Sequence, residues 1–191
     1  KKCKFFHTIR ESLKEKPDAA IICSVTSDHI KDSIILAKSG IHLMIEKPLS
    51  HNGLQIKKLL KLVNKKNLIT LMGCNFRFHP CLIKIKKLIS SKEIGRVIFV
   101  QAEHGSFLPD WHPSEDYKTS YAARKELGGG VVLTSIHEID YLYWILGDVI
   151  SVNATTAKLS NLDIDTEDFA SILLKFQNKT IAHVQLNYFQ K

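Results

Sequence analysis

Two side chains in this sequence have the type and the setting to move a proton. Lys47 stands at the end of the apolar run Ile41-His42-Leu43-Met44-Ile45 and directly before Pro48. Ile45 and Pro48 can desolvate its ammonium, which lowers a lysine pKa toward the range where it serves as acid or base, although a lysine beside a proline is also a common surface feature. His137 lies in the run from Gly128 to Asp148, and a histidine titrates close enough to neutrality to accept a proton from a hydroxyl. Thr134, His137, Glu138 and Tyr141 recur at i, i+3, i+4 and i+7 and so share one helical stripe. Val132, Ile136, Ile139, Tyr143 and Leu146 form a second stripe at spacings of three and four, expected as the buried face. The polar stripe then faces solvent or a cleft, and its residues alone do not say which. Gly128-Gly129-Gly130 ahead of it let a backbone pass close to a neighbour, and Gly147 is expected to end the helix.

The elements that must position these groups follow from the pattern of apolar runs. Thr8-Ile9-Arg10-Glu11 is a capping-box sequence, so a helix is expected to start there and stop near Lys16-Pro17. Ala19 to Val25 is a continuous apolar run of strand length, as expected of parallel strands covered on both faces. A helix from about Asp28 to Ser39, a strand over Ile41 to Ile45, a helix from about Gly53 to Lys65 and a strand over Leu68 to Gly73 complete a doubly wound α/β signature with right-handed crossovers. Ligands of such sheets gather outside the carboxyl ends of the strands. That rule selects three loops: Ser24 to His29, Glu46 to Ser50, and Cys74 to Pro80. A dinucleotide fold also needs a Gly-x-Gly-x-x-Gly turn to hold the pyrophosphate. No such turn precedes Lys47, where Gly40 is the lone glycine.

From Phe76 onward the pattern changes. Phe76 to Pro80 reads as a loop, Leu82 to Ser90 as an amphipathic helix and Gly95 to His104 as a strand. The segment from Gly105 to Glu126, with Trp111, His112, Tyr117 and Tyr121, is too aromatic for an idle linker. After the histidine helix come strand-like runs at Ile150 to Lys158, Phe169 to Phe176 and Thr180 to Tyr188, the last two joined by a turn at Asn178-Lys179. Ser171, Leu173 and Lys175 alternate with Ile172, Leu174 and Phe176, which predicts an antiparallel sheet with one covered face. The fold class is therefore α/β: a partial Rossmann sheet over residues 1–74, then an α+β domain with a mostly antiparallel open sheet over residues 75–191.

Composition bounds the partners. A net charge of +8 over 191 residues invites nucleic acid or anionic ligands. The lysines are spread along helices, as at Lys57, Lys58, Lys61 and Lys65, without an arginine cluster or interleaved aromatics, so a solvated face is expected and nucleic acid is not. A nucleotide or phosphosugar is the functional alternative. No apolar run reaches the roughly 20 residues that span a bilayer, no secretory signal is recognisable, and a cytoplasmic protein is expected. Cys3, Cys23, Cys74 and Cys81 form no Cys-x-x-Cys pair and are expected as reduced core residues.

Four stretches in series resemble one family. Asp18-Ala19-Ala20-Ile21-Ile22 with His29, Gly40-Ile41-His42-Leu43-Met44-Ile45-Glu46-Lys47-Pro48, Asn75-Phe76-Arg77-Phe78-His79-Pro80, and Gly128-Gly129-Gly130 with His137 and Asp140 are similar in order and spacing to the Gfo/Idh/MocA oxidoreductases. The resemblance implies a Rossmann domain for NAD or NADP and a second α/β domain whose open sheet often mediates homo-oligomerisation. Substrates of that family are typically sugars, cyclitols or nucleotide sugars. By resemblance, Lys47 lies beside the nicotinamide and the reacting hydroxyl, and His137 is the general acid or base. Ser24, Val25, Thr26, His29, Glu46, Lys47, Pro48 and Asn75 fall to the cofactor, with Val25 in place of a proline common there and Pro48 often cis. Arg77, Trp111, Tyr121, Thr134 and His137 fall to the substrate, and none to a metal. Thr134 stands where many relatives carry an acidic residue, which shifts more of the proton transfer to Lys47 or Tyr121.

The chain is also expected to be truncated at both ends relative to that family, so that these 191 residues bind dinucleotide weakly or not at all. A metal-dependent hydrolase built on His104, His112, His137, Glu138 and Asp140 fits poorly. His-Glu-Ile-Asp is not HExxH, and Glu138 and Asp140 cannot both share a helical face with His137. A non-catalytic relative, kept for self-association or partner binding, is the alternative function.

Overall fold

The computed structural model describes residues 3–191 and divides the chain into two compact units, Lys1–Gly73 and Cys74–Lys191. In the first, α1 (Ile9–Ser12) opens on the expected capping box: the Thr8 hydroxyl accepts from the Glu11 amide, and the Glu11 carboxylate accepts from the Thr8 amide. Strands β1 (Ala19–Ile22), β2 (His42–Ile45) and β3 (Thr70–Met72) form a parallel sheet in that order. Helix α2 (His29–Lys38) connects β1 to β2, and α3 (Ile56–Lys65) connects β2 to β3. Ile22, Leu43 and Ile45 pack with Ile30, Ile34, Leu36 and Leu59 of these helices. Each such side chain contributes about 1.5–3 kcal/mol of burial.

One face of this sheet differs from expectation. Ile21, Met44 and Leu71 stand in register on it, with Ile21 68% and Leu71 49% exposed. Sequential strand order sends both crossovers in the same direction, so α2 and α3 pack on each other over the same face and the second face receives no helix from these residues. The cysteines depart for a related reason. Cys23 continues the alternation from exposed Ile21 and is itself exposed, as are Cys3 and Cys81, while Cys74 is half-buried. They form no disulfide, but they are not core residues.

The second unit packs α4 (Pro80–Ser90), α5 (Val131–Thr134) and α6 (His137–Leu146) with a four-stranded sheet. The strands are β4 (Phe99–Gly105), β5 (Val149–Ala157), β6 (Phe169–Phe176) and β7 (Ile181–Asn187), in the order β4-β7-β6-β5. β4 runs parallel to β7, and the other pairings are antiparallel. The β6–β7 turn is closed by Lys179 at φ 69° and by the Asn178 side-chain oxygen, which accepts from the Thr180 amide. Ile172, Leu174 and Phe176 are buried while Leu173 and Lys175 are exposed, so one sheet face is covered and the other open. The core is built on Phe176, Val184, Leu186, Tyr188 and Val131. No helix among the described residues is long and apolar enough to cross a membrane.

The histidine helix is two helices. The chain leaves helical geometry at Ser135 (φ −98°, ψ 35°) and restarts at His137. The break resets the phase of the apolar pattern, so the buried face of α6 is Glu138, Leu142 and Leu146, and Tyr143 is half exposed. Thr134 and Glu138, expected on a solvent or cleft stripe, are 6% and 5% exposed.

Candidate active site

At the carboxyl ends of β1 and β2, the first unit gathers seven of the residues expected at the cofactor. The chain after β1 turns through Ser24, Val25 and Thr26, with the Asp28 amide donating to the Val25 carbonyl (2.9 Å). Thr26 is 3% exposed, Val25 half-buried and Ser24 exposed, its hydroxyl donating to Asp32 Oδ2 at 2.8 Å. His29 opens α2 and is 2% exposed. Its Nδ1 lies 2.8 Å from the Pro48 carbonyl and its Nε2 2.9 Å from the Ser24 carbonyl. After β2, the Glu46 amide donates to the Ile22 carbonyl (3.0 Å), and the Glu46 carboxylate accepts from the Lys47 amide (3.2 Å). The Lys47–Pro48 peptide is cis. Lys47 is half-buried, with Ile45 and Pro48 buried to either side of it in sequence.

The second unit brings together Phe76, Arg77, His137 and Asp140. Asn75–Phe78 forms a short 3-10 turn, with Asn75 itself exposed. The Phe76 ring stacks on the His137 imidazole at 4.4 Å between centroids and 14° between planes. That contact fixes the plane of the imidazole. Arg77 donates from Nε (2.9 Å) and Nη2 (2.6 Å) to the two oxygens of Asp140. This fork raises the guanidinium pKa, chiefly through the hydrogen bond to Asp140, and ties the 3-10 turn to α6. Two of Arg77's donor atoms are therefore committed within the protein rather than offered to a substrate.

Thr134 ends α5 and lies on the other side of the break from His137, facing the Tyr188 hydroxyl. Burial pushes the Tyr188 phenol pKa up. Trp111 packs edge-on against Tyr188 (5.4 Å, 90°), and its indole N–H donates to Ser106 Oγ at 2.6 Å. Trp111 and Tyr121, with Leu108, His112, Glu115, Tyr117 and Ser120, line a cavity of about 230 Å³. Glu138 is buried with His104 Nδ1 3.8 Å away. Burial first, and the Glu138 charge second, push the Tyr141 pKa up to about 12. No three His, Cys, Asp or Glu side chains among the described residues converge to hold a metal ion.

The glycines serve packing. A Cβ on Gly129 would lie 2.3 Å from the Tyr121 carbonyl oxygen, and one on Gly130 (φ +105°) 2.3 Å from Glu167 Oε1. Glu167 uses that space to accept from the Val132 amide at the start of α5 (3.2 Å). What passes close to the glycine run is thus the chain's own aromatic segment and a carboxylate cap. Phe76 and Tyr188 carry no role in the sequence reading. Phe76 sits inside the Asn75-Phe76-Arg77 stretch and could have been found there, whereas Tyr188 has no local signal.

A parallel β/α sheet with its polar loops at the strand ends, followed in one chain by an open-sheet α/β unit, defines a module of Rossmann type and a second α/β module. The family models agree with that division. Residues 2–74 match the model described as oxidoreductase family, NAD-binding Rossmann fold, and residues 82–191 match the GFO/IDH/MocA C-terminal domain. The chain belongs to the GFO/IDH/MocA oxidoreductase family. Levoglucosan dehydrogenase of Pseudarthrobacter phenanthrenivorans is 29% identical over 147 residues, covering 75% of this chain and 37% of the relative. Myo-inositol 2-dehydrogenase of Thermotoga maritima is 28% identical over 166 residues, covering 84% and 47%. The WlbA dehydrogenase of Bordetella pertussis, solved with NADH and UDP-GlcNAcA, superposes with a TM-score of 0.86 at 22% identity over 97% of this chain and 53% of that one. The chain spans half or less of the length of the two curated relatives named.

Proposed function

We propose that these residues form the nicotinamide-end loops and the substrate-side unit of an NAD- or NADP-dependent dehydrogenase acting on a CH–OH group of a sugar, cyclitol or nucleotide sugar. The observation that carries this reading is the half-buried Lys47 at the strand-end turn, flanked by the Ser24–Thr26 loop in a unit that matches the NAD-binding family model. Relatives named for levoglucosan and myo-inositol support a polyhydroxylated ring as substrate. These side chains fit the nicotinamide half of the cofactor, since a half-buried ammonium and a buried threonine suit a carboxamide, a ribose hydroxyl and a reacting oxygen. A grip for the pyrophosphate is not among residues 3–47, where Gly40 is the lone glycine.

When bound, the cofactor supplies the hydride acceptor or donor, and the chain supplies position and proton handling. Lys47 stabilises negative charge developing on the substrate oxygen through its ammonium. His137, its ring plane fixed by Phe76, takes or returns the hydroxyl proton. Arg77 and Asp140 hold the 3-10 turn that carries Phe76, and so act on His137 at one remove. Trp111 and Tyr121 offer aromatic walls to the substrate. In the full native polypeptide, Lys47→Ala and His137→Ala are each expected to lower kcat by about a hundredfold or more. Steady-state turnover of NAD or NADP with cyclitols and sugars measures this, and undiminished turnover in either variant removes that residue from the mechanism.

The open face of the four-stranded sheet is the expected homo-oligomer surface. Phe99 (54% exposed), Ile181 (38%) and Leu173 (45%) share it by register.

A further inference from the structure

His29 holds two strand-end loops with one ring. Its imidazole is 2% exposed, with Nδ1 2.8 Å from the Pro48 carbonyl oxygen and Nε2 2.9 Å from the Ser24 carbonyl oxygen. Both ring nitrogens therefore lie within hydrogen-bond distance of main-chain carbonyls of the same unit; a ring with one N–H donates to one of them at a time, and a ring with both nitrogens protonated donates to both. Family resemblance places His29 in the loop beside the dinucleotide. Pro48 follows Lys47 directly, and Ser24 lies two residues before Thr26, so the ring spans the turn expected to do chemistry and the loop expected to hold the cofactor. On the far side of the turn, Glu46 accepts from the Lys47 amide, and its carboxylate lies 2.8 Å from where a Cβ on Gly73 would stand, packed against the residue that follows β3. His29 thus joins the Lys47 turn to the loop after β1 through a side chain with two spatially separate contacts.

We propose that His29 is a positioning residue that sets the spacing between the Lys47–Pro48 turn and the Ser24–Thr26 loop, coupling cofactor hold to placement of the Lys47 ammonium. This rests on the dehydrogenase reading above. A histidine kept only for packing would act through its volume, and any substitute would shift both loops together. A positioning histidine acts through two nitrogens at different places on the ring. An asparagine amide nitrogen sits near the Nδ1 position and keeps a donor for Pro48. A glutamine amide nitrogen reaches the Nε2 position and keeps a donor for Ser24.

The test is steady-state kinetics of His29→Asn, His29→Gln and His29→Phe in the full native polypeptide, with dinucleotide varied and Lys47→Ala run alongside. His29→Asn is expected to hold kcat while raising the dinucleotide KM by about tenfold, the scale of one lost buried hydrogen bond. His29→Gln is expected to hold KM while lowering kcat by about tenfold, and His29→Phe to show both losses. Equal changes in both constants for the two amide variants, no change in either, or loss of the folded state in all three by circular dichroism overturns the proposal. Absence of dinucleotide-dependent turnover in the unsubstituted polypeptide instead overturns the dehydrogenase reading, and undiminished turnover in Lys47→Ala removes Lys47 from the mechanism, whichever way the His29 variants divide.

Discussion

The histidine proposed to handle the substrate proton is held by neighbours that have no chemistry of their own. His137 takes its ring plane from Phe76 at 4.4 Å, and Phe76 is held in turn by the Arg77–Asp140 fork. Gly129 belongs to the same set. Its missing side chain lets the Tyr121 and Ala122 carbonyls come within 2.3 and 2.6 Å of where a Cβ would stand. Those neighbours are backbone and cannot swing away. Gly129→Ala is therefore expected to cost about 3 kcal/mol or more. Gly53→Ala, where nothing lies within 4 Å of the added carbon, is expected to stay within about 0.5 kcal/mol of the parent. Urea midpoints at constant m-value measure both, and equal midpoints for the two variants contradict the close approach. Three glycines announce a close approach without saying to what, because the approaching carbonyls come from a segment whose path only the fold determines.

The elements were mostly legible, and the exceptions share a cause. Capping at Thr8, alternation in β6 and the Asn178-Lys179 turn are local events, decided by residues within about one turn or one hairpin of each other. The break at Ser135 is not. Helical periodicity runs through it in the sequence, yet Val131 and Thr134 are drawn into the core of the second unit and α6 restarts with its own phase. Which sheet face is covered is likewise a matter of crossover direction rather than of strand composition. The open face of β4-β7-β6 follows the alternation closely, and it makes an element-scale prediction. Leu173→Glu in the full native polypeptide is expected to shift sedimentation equilibrium toward monomer, by placing a charge among Phe99 and Ile181. An unchanged assembly state would rule out this open face as a subunit contact.

For the molecule as a whole, the sequence carries two modules and a family, and the fold carries their division at Gly73 and Cys74. Residues 3–47 carry the loops proposed for a nicotinamide but no glycine turn for a pyrophosphate. Calorimetric titration of the 191-residue chain with NAD and NADP is accordingly expected to show no micromolar binding; heat of binding at micromolar affinity would mean that the strand-end loops suffice. By itself the sequence determined the parallel and antiparallel sheets and the strand-end loops, because period and turn chemistry are properties of nearby residues. Only tertiary structure decided that His29 faces two carbonyls, that Arg77 belongs to Asp140, that Glu138 is buried and that Thr134 is parted from His137. Those outcomes depend on which groups meet across tens of residues, and a buried polar group takes whichever partner the packing leaves within reach.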